Sequence, residues 1–167
     1  MQTFLPYPCF VCSARVLDDL RLGKQRVEAL QILRGLTIPT YGWRHHPAVK
    51  MWAGHVEALA SYGVTVSRVW VRRGYADTCA ASITSEHPGA APPRTQPELA
   101  ALGLLPAWLG DPDFHRAHQS SLVRKDPAHY RPHFPDVLDD LEYVWPGRVT
   151  HLPAQRLHPP DPGGSSG

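Results

Sequence analysis

Val49, Trp52, Val56, Leu59, Gly63, Val66 and Trp70 follow one another at alternating intervals of three and four residues. That repeat gathers side chains on one face of an α-helix, whereas a strand would scatter them over both of its faces. The stripe predicts one long helix of about six turns. Pro47 suits its first position, Arg72 and Arg73 complement the dipole in its last turn, and Gly74 takes the left-handed backbone that ends it. So long a stripe must be buried, which obliges the rest of the chain to supply partners for it.

A second stripe starts behind Ser13, a potential N-cap, with Val16, Leu17, Leu20 and Leu22, and runs through Ala29, Leu30 and Leu33 to Gly35. It predicts a first helix, broken near Gly23. Thr95-Gln96-Pro97-Glu98 has capping-box spacing and opens a short helix that stops near Gly103. Asp111-Pro112 opens another that carries Phe114, Ala117, Leu122 and Val123 towards Lys125, where Asp126-Pro127 ends it. Thr3 to Pro8 holds two prolines and reads as an extended lead-in lying on the core. Thr37 to His46 reads as a loop, and so does the Ala/Pro/Ser-rich stretch from Thr78 to Pro93. The expected fold class is all-α: a compact single-domain helical bundle over residues 1–150 with Pro-rich loops, followed by a disordered tail at 151–167.

At 167 residues the chain is long enough to bury a core without disulfide or metal staples. No apolar run reaches the roughly 20 residues of a membrane span, and no basic segment precedes a hydrophobic signal core, so a cytoplasmic location is expected. The net charge is only +2, so a phosphate-binding surface has to come from clustering rather than from bulk charge. Glycine-rich phosphate loops, a GxSxG elbow and HExxH are absent, which excludes P-loop nucleotide hydrolysis, α/β-hydrolase chemistry and zincin proteolysis.

Three basic clusters stand out. In the first, Arg21, Lys24, Glu28 and Gln31 are spaced three, four and three residues apart and share one helical face. A carboxylate held among cations stays ionised and can accept a proton, and a desolvated lysine beside it can act as a nucleophile. The same four residues also suit a solvated ion pair on an exposed helix. The second cluster, Trp43-Arg44-His45-His46 through Lys50, lies at a helix start, where free amides favour an anion. The third, Arg124 to Arg131, interleaves bases with Tyr130, a composition suited to backbone contacts and base stacking. Cys9-Phe10-Val11-Cys12 is a CxxC, and His115 and His118 share a face, but a structural zinc needs four ligands in recognised pairings and no second pair accompanies them. No metal site is assigned. With Cys79 the cysteines are odd in number and suggest no oxidised scaffold; Cys9 and Cys12 read as small apolar fillers, and the two histidines as solvated or nucleic-acid-facing.

The segments Arg21-Leu22-Gly23-Lys24-Gln25-Arg26-Val27-Glu28, His46-Pro47-Ala48-Val49-Lys50-Met51-Trp52, Val71-Arg72-Arg73-Gly74-Tyr75 and Arg124 to Tyr130 resemble, in their order, the pyrimidine-dimer DNA glycosylase family. They are nearest to its bacterial branch and more distantly similar to the phage endonuclease V type, over residues 1 to 146. The resemblance implies a helical protein that binds duplex DNA, flips a damaged or modified nucleotide, cleaves its glycosidic bond and breaks the strand by β-elimination through an imine. In the phage type an N-terminal amine exposed by Met removal is the nucleophile, and a Glu directly following an Arg on the first long helix assists it.

Two positions depart from that pattern. Gln2 is bulky enough to prevent removal of Met1, and Val27 follows Arg26, with Glu28 one residue later, about 100° around a helix. The implied catalytic set is Glu28, Lys24, Arg26, Met1 and Gln2. The implied DNA-binding set is Arg21, His45, His46, Lys50, Lys125, Tyr130 and Arg131. No cofactor and no obligate protein partner are implied. A non-catalytic nucleic-acid-binding module on the same fold is the main alternative, and a zinc-dependent protein the lesser one.

Overall fold

A computed structural model describes residues 1–146; the tail expected at 151–167 and the domain boundary expected at 150 lie outside the described residues. These residues form eight helices and no strand. The two long ones, α2 (Asp19–Thr37) and α4 (Val56–Arg72), pack against each other, and α5 (Cys79–Glu86) packs on both. Gly63 permits that approach: a Cβ there would stand 2.6 Å from the Ile83 side chain and 3.0 Å from that of Ala29. Around this centre lie α1 (Phe10–Val16), α3 (Pro47–Met51), α6 (Gln96–Ala101), α7 (Pro112–Lys125) and α8 (Pro127–Tyr130).

Both long stripes are interrupted where the spacing predicts continuity. The first breaks at Leu17 and Asp18 rather than near Gly23, because the Asp18 carboxylate accepts the Arg21 N–H at 3.0 Å and starts a new helix. Ser13 is no cap. It is buried within α1, where its hydroxyl accepts the Tyr7 N–H at 3.1 Å and donates to the Tyr7 carbonyl at 2.9 Å. The second breaks between Met51 and Val56, where Gly54 takes φ +82. Trp52 stays fully buried in that turn, against Phe10, Tyr62 and Trp108. A turn that keeps its tryptophan in the core leaves the apolar spacing intact, so periodicity does not register it. The stretch expected as a loop from Thr78 contains α5, anchored by Cys79 and Ile83 one helical turn apart. The capping box at Thr95 and Glu98 and the start of α7 at Pro112 are as expected.

The extended lead-in is threaded through this assembly, and its backbone groups are satisfied by side chains from distant helices. Phe4 N–H donates to Gln25 Oε1 at 2.7 Å, and Leu5 N–H donates to His118 Nδ1 at 3.0 Å. The Leu5 carbonyl faces His115 Nδ1 at 2.8 Å, that of Pro6 accepts from Gln119 at 2.8 Å, and that of Pro8 accepts from Gln96 at 2.7 Å. A buried extended segment outside any sheet has to be satisfied in this way. His115 and His118 are therefore buried structural residues, not solvated or DNA-facing ones. Because His115 Nε2 accepts the Gly110 N–H at 2.9 Å, its Nδ1 carries the proton given to Leu5. Burial holds the pKa of both histidines low, and that of His118 far below its ordinary value, so both rings are neutral.

Candidate active site

The arm formed by residues 2–8 ends at α2, and a single buried side chain joins the two. Gln25 is 1% exposed. Its Oε1 accepts from Phe4 N–H and lies 2.8 Å from the Tyr62 hydroxyl, which also reaches the Phe4 carbonyl at 3.0 Å. Its Nε2 donates to the Gln2 carbonyl at 3.0 Å and to Glu28 Oε2 at 3.2 Å. The same carboxylate oxygen accepts the Gln2 backbone N–H at 3.0 Å. Glu28 is thus fixed one residue from the Met1 amine by two donors. Its charge helps burial to raise the pKa of both Tyr62 and Tyr143. Sequence reasoning overlooked Gln25, and the available signal was a polar residue on the buried side of an amphipathic helix.

Around this junction lies a cleft of about 280 Å³ lined by Met1, Gln2, Phe4, Leu20, Arg21, Lys24, Gln25, Glu28 and Lys125. The three-four spacing of Arg21, Lys24 and Glu28 does place them on one face, and α7 brings Lys125 across to it. Arg21 is only partly available. Its guanidinium pairs with Asp18 at 2.6 Å and reaches Asp126 at 3.7 Å. Burial opposes the ionisation of Asp18, but hydrogen bonds from Tyr130 and Arg21 outweigh it and hold its pKa below the ordinary carboxylate value. Lys24 is exposed and has no ion pair among the described residues.

Arg26 points elsewhere. It pairs at 2.5 Å with Asp77, whose side chain is 3% exposed, and its guanidinium lies 4.5 Å from the centre of the Trp70 ring. Tyr75 stacks on Trp70 at 4.0 Å, so Arg26 is held in a structural cluster outside the cleft. Tyr130 also departs from expectation. Its ring is fully buried and its hydroxyl is given to Asp18, which leaves no face for a base. Arg131 donates to the Val137 carbonyl at 2.6 Å and braces the segment after α8.

The second basic cluster is split by the fold. His45 and Lys50 are exposed. His46 caps α3, its Nδ1 accepting the Ala48 N–H at 3.1 Å. Burial, with a contribution from the Met1 ammonium, lowers the pKa of His46. Cys9 and Cys12 form a disulfide rather than acting as separate apolar fillers. No cluster of three or more His, Cys, Asp or Glu suited to a metal occurs among the described residues, and no described helix is long and apolar enough to cross a membrane.

Residues 1–83 match the family model described as pyrimidine dimer DNA glycosylase. No curated protein and no solved structure gives a match. The matched segment contains the arm, α2 and the Gln25–Glu28 junction, and it ends within α5. Residues 1–83 are just under half of the 167-residue chain; over them it is similar to the pyrimidine dimer DNA glycosylase family, a similarity that supports glycosylase-type DNA repair as its general function and DNA as its substrate.

Proposed function

We propose that the protein is a DNA glycosylase with AP-lyase activity that removes a damaged or modified base from duplex DNA through an imine. The observation that carries this is the bond from the Gln2 backbone N–H to Glu28 Oε2, 3.0 Å long, in a cleft that Met1, Lys24 and Lys125 share. An amine and a carboxylate held together are the two groups that imine chemistry at C1′ requires.

The amine, that of Met1 or of Lys24, attacks C1′ with its lone pair, and the base departs with the electrons of the glycosidic bond and takes up a proton. The attacking nitrogen gives up a proton to Glu28, and the carboxylic acid so formed returns it to the ring oxygen O4′ as the sugar opens to the iminium. Glu28 then removes a C2′ proton, and the electron pair so released expels the 3′ phosphate. Water hydrolyses the imine and restores the amine. Gln25 holds the arm and the carboxylate in register, while Lys24, Lys125 and the available part of Arg21 receive phosphates. His45 and Lys50 extend the phosphate contacts along the duplex. Arg26 serves the fold.

Borohydride reduction on duplex DNA carrying an abasic site tests this directly. A covalent adduct that maps to Met1 or Lys24 and is lost in Glu28→Gln is the expected result. Salt-sensitive binding with no adduct in the wild-type protein would instead identify a DNA-binding module without the chemistry.

A further inference from the structure

The loop before α3 carries an aromatic surface to which the proposed chemistry gives no role. Trp43, in the loop before α3, is 56% exposed. Its ring meets His46 edge to face at 6.0 Å, and His46 in turn meets Trp145 at 6.2 Å. Trp145 packs on Tyr143 at 4.6 Å, and the Tyr143 hydroxyl lies 2.7 Å from His118 Nε2. The row is therefore anchored in the core at one end and open at Trp43. Leaving an indole in water forgoes the burial that most tryptophans obtain, so an exposed one on a braced surface is informative.

His46 supplies a polar group at the same place. Because Nδ1 accepts the Ala48 N–H, the proton of the neutral ring sits on Nε2, which has no hydrogen-bond partner among the described residues. A flat apolar face beside an unused N–H suits a planar, partly polar ligand, and the neighbouring Arg44, His45 and Lys50 favour one attached to phosphate.

We infer that Trp43 and His46 form a nucleobase subsite: an unstacked base of the bound DNA lies on the Trp43 ring and accepts the His46 Nε2–H on its edge. This rests on the glycosylase reading only for the identity of the ligand, because the subsite holds a base and takes no part in imine formation.

Two duplexes separate the subsite from the chemistry. One carries a mispaired base at a single position, and the other a tetrahydrofuran abasic analogue at that position. Trp43→Ala is expected to weaken binding of the first about tenfold and to leave the second within about twofold, since stacking on an aromatic is worth that much per base. Trp43→Phe should keep most of the affinity. His46→Asn retains an N-cap acceptor but lacks the second ring N–H, and should lose about threefold on the base-bearing duplex alone. Equal losses on both duplexes would reduce Trp43 to a backbone contact, and unchanged affinities would remove the subsite; either result overturns the inference. Borohydride trapping on abasic DNA contains no base at the site. It should be equal in Trp43→Ala and wild type, so failure of the wild-type adduct would sink the lyase reading while leaving the subsite to the binding data.

Discussion

Arg26 and Glu28 lie two residues apart on α2, and the fold uses them in opposite ways. Arg26 has its charge neutralised by Asp77 and its plane covered by Trp70, so it offers a ligand little. Among the described residues Glu28 is held by uncharged donors, the Gln2 N–H and the Gln25 amide, and it lines the cleft. An ionic residue fully matched by its own protein is structural; one held by neutral hydrogen bonds is oriented and still available. In the proposed mechanism this difference accounts for a carboxylate that acts one position later than the family pattern leads one to expect. What matters is the side of α2 that meets the arm, and Gln25 defines that side.

The sharpest way to break the comparison is Glu28→Gln, which keeps an acceptor for the arm but removes the charge. Trapping on abasic DNA should fall by at least about a hundredfold while the thermal midpoint hardly moves. Arg26→Ala should do the reverse. Removing one partner of a largely buried ion pair costs about 3 kcal/mol, measurable by urea unfolding, with trapping by the folded protein essentially unchanged. A drop in trapping equal to that of Glu28→Gln would return Arg26 to the chemistry.

The arm adds a pH dependence on the Glu28 side. The folded pKa values of His118 and His115 lie below the unfolded value near 6.5, so the unfolded chain binds more protons once the pH falls under that value. Stability is complete above about pH 6.5 and should decline below it, by up to about 1.4 kcal/mol per pH unit for each histidine. Unfolding midpoints from pH 7.5 to 5 read this directly, and His118→Gln should flatten the curve. The smallest effect is expected from relocating the acid. Val27 is 43% exposed and does not line the cleft that holds Met1 and Lys125, so Val27→Glu combined with Glu28→Gln should trap no better than Glu28→Gln alone.

The helical class and the ends of α6 and α7 could be read from sequence because caps and apolar spacing are local signals. The face shared by Arg21, Lys24 and Glu28 could be read for the same reason. The breaks at Asp18 and Gly54 were obscured because Leu17 and Trp52 remain in the core on either side of a turn, which preserves the apolar count. Gln25, His115 and His118 were misjudged or missed because their partners are backbone atoms of residues 2–5, up to 113 positions away. No local pattern records that a polar side chain will serve a distant backbone. The commitment of Arg26 to Asp77 was hidden for the same reason, since they are 51 positions apart.

The threading of the arm also has a consequence in time. During synthesis residues 2–8 are made early, but His118 follows Leu5 by 113 residues, on the order of ten seconds at ordinary elongation rates. A nascent chain that stops before α7 already contains Glu28, Lys24 and Gln25, yet lacks His115, His118 and Gln119, which hold Leu5 and Pro6 of the arm. The arm is therefore seated in full only after α7 is made: the bonds of Gln2 and Phe4 to Gln25 lie within the first third of the chain, and those at Leu5 and Pro6 come late.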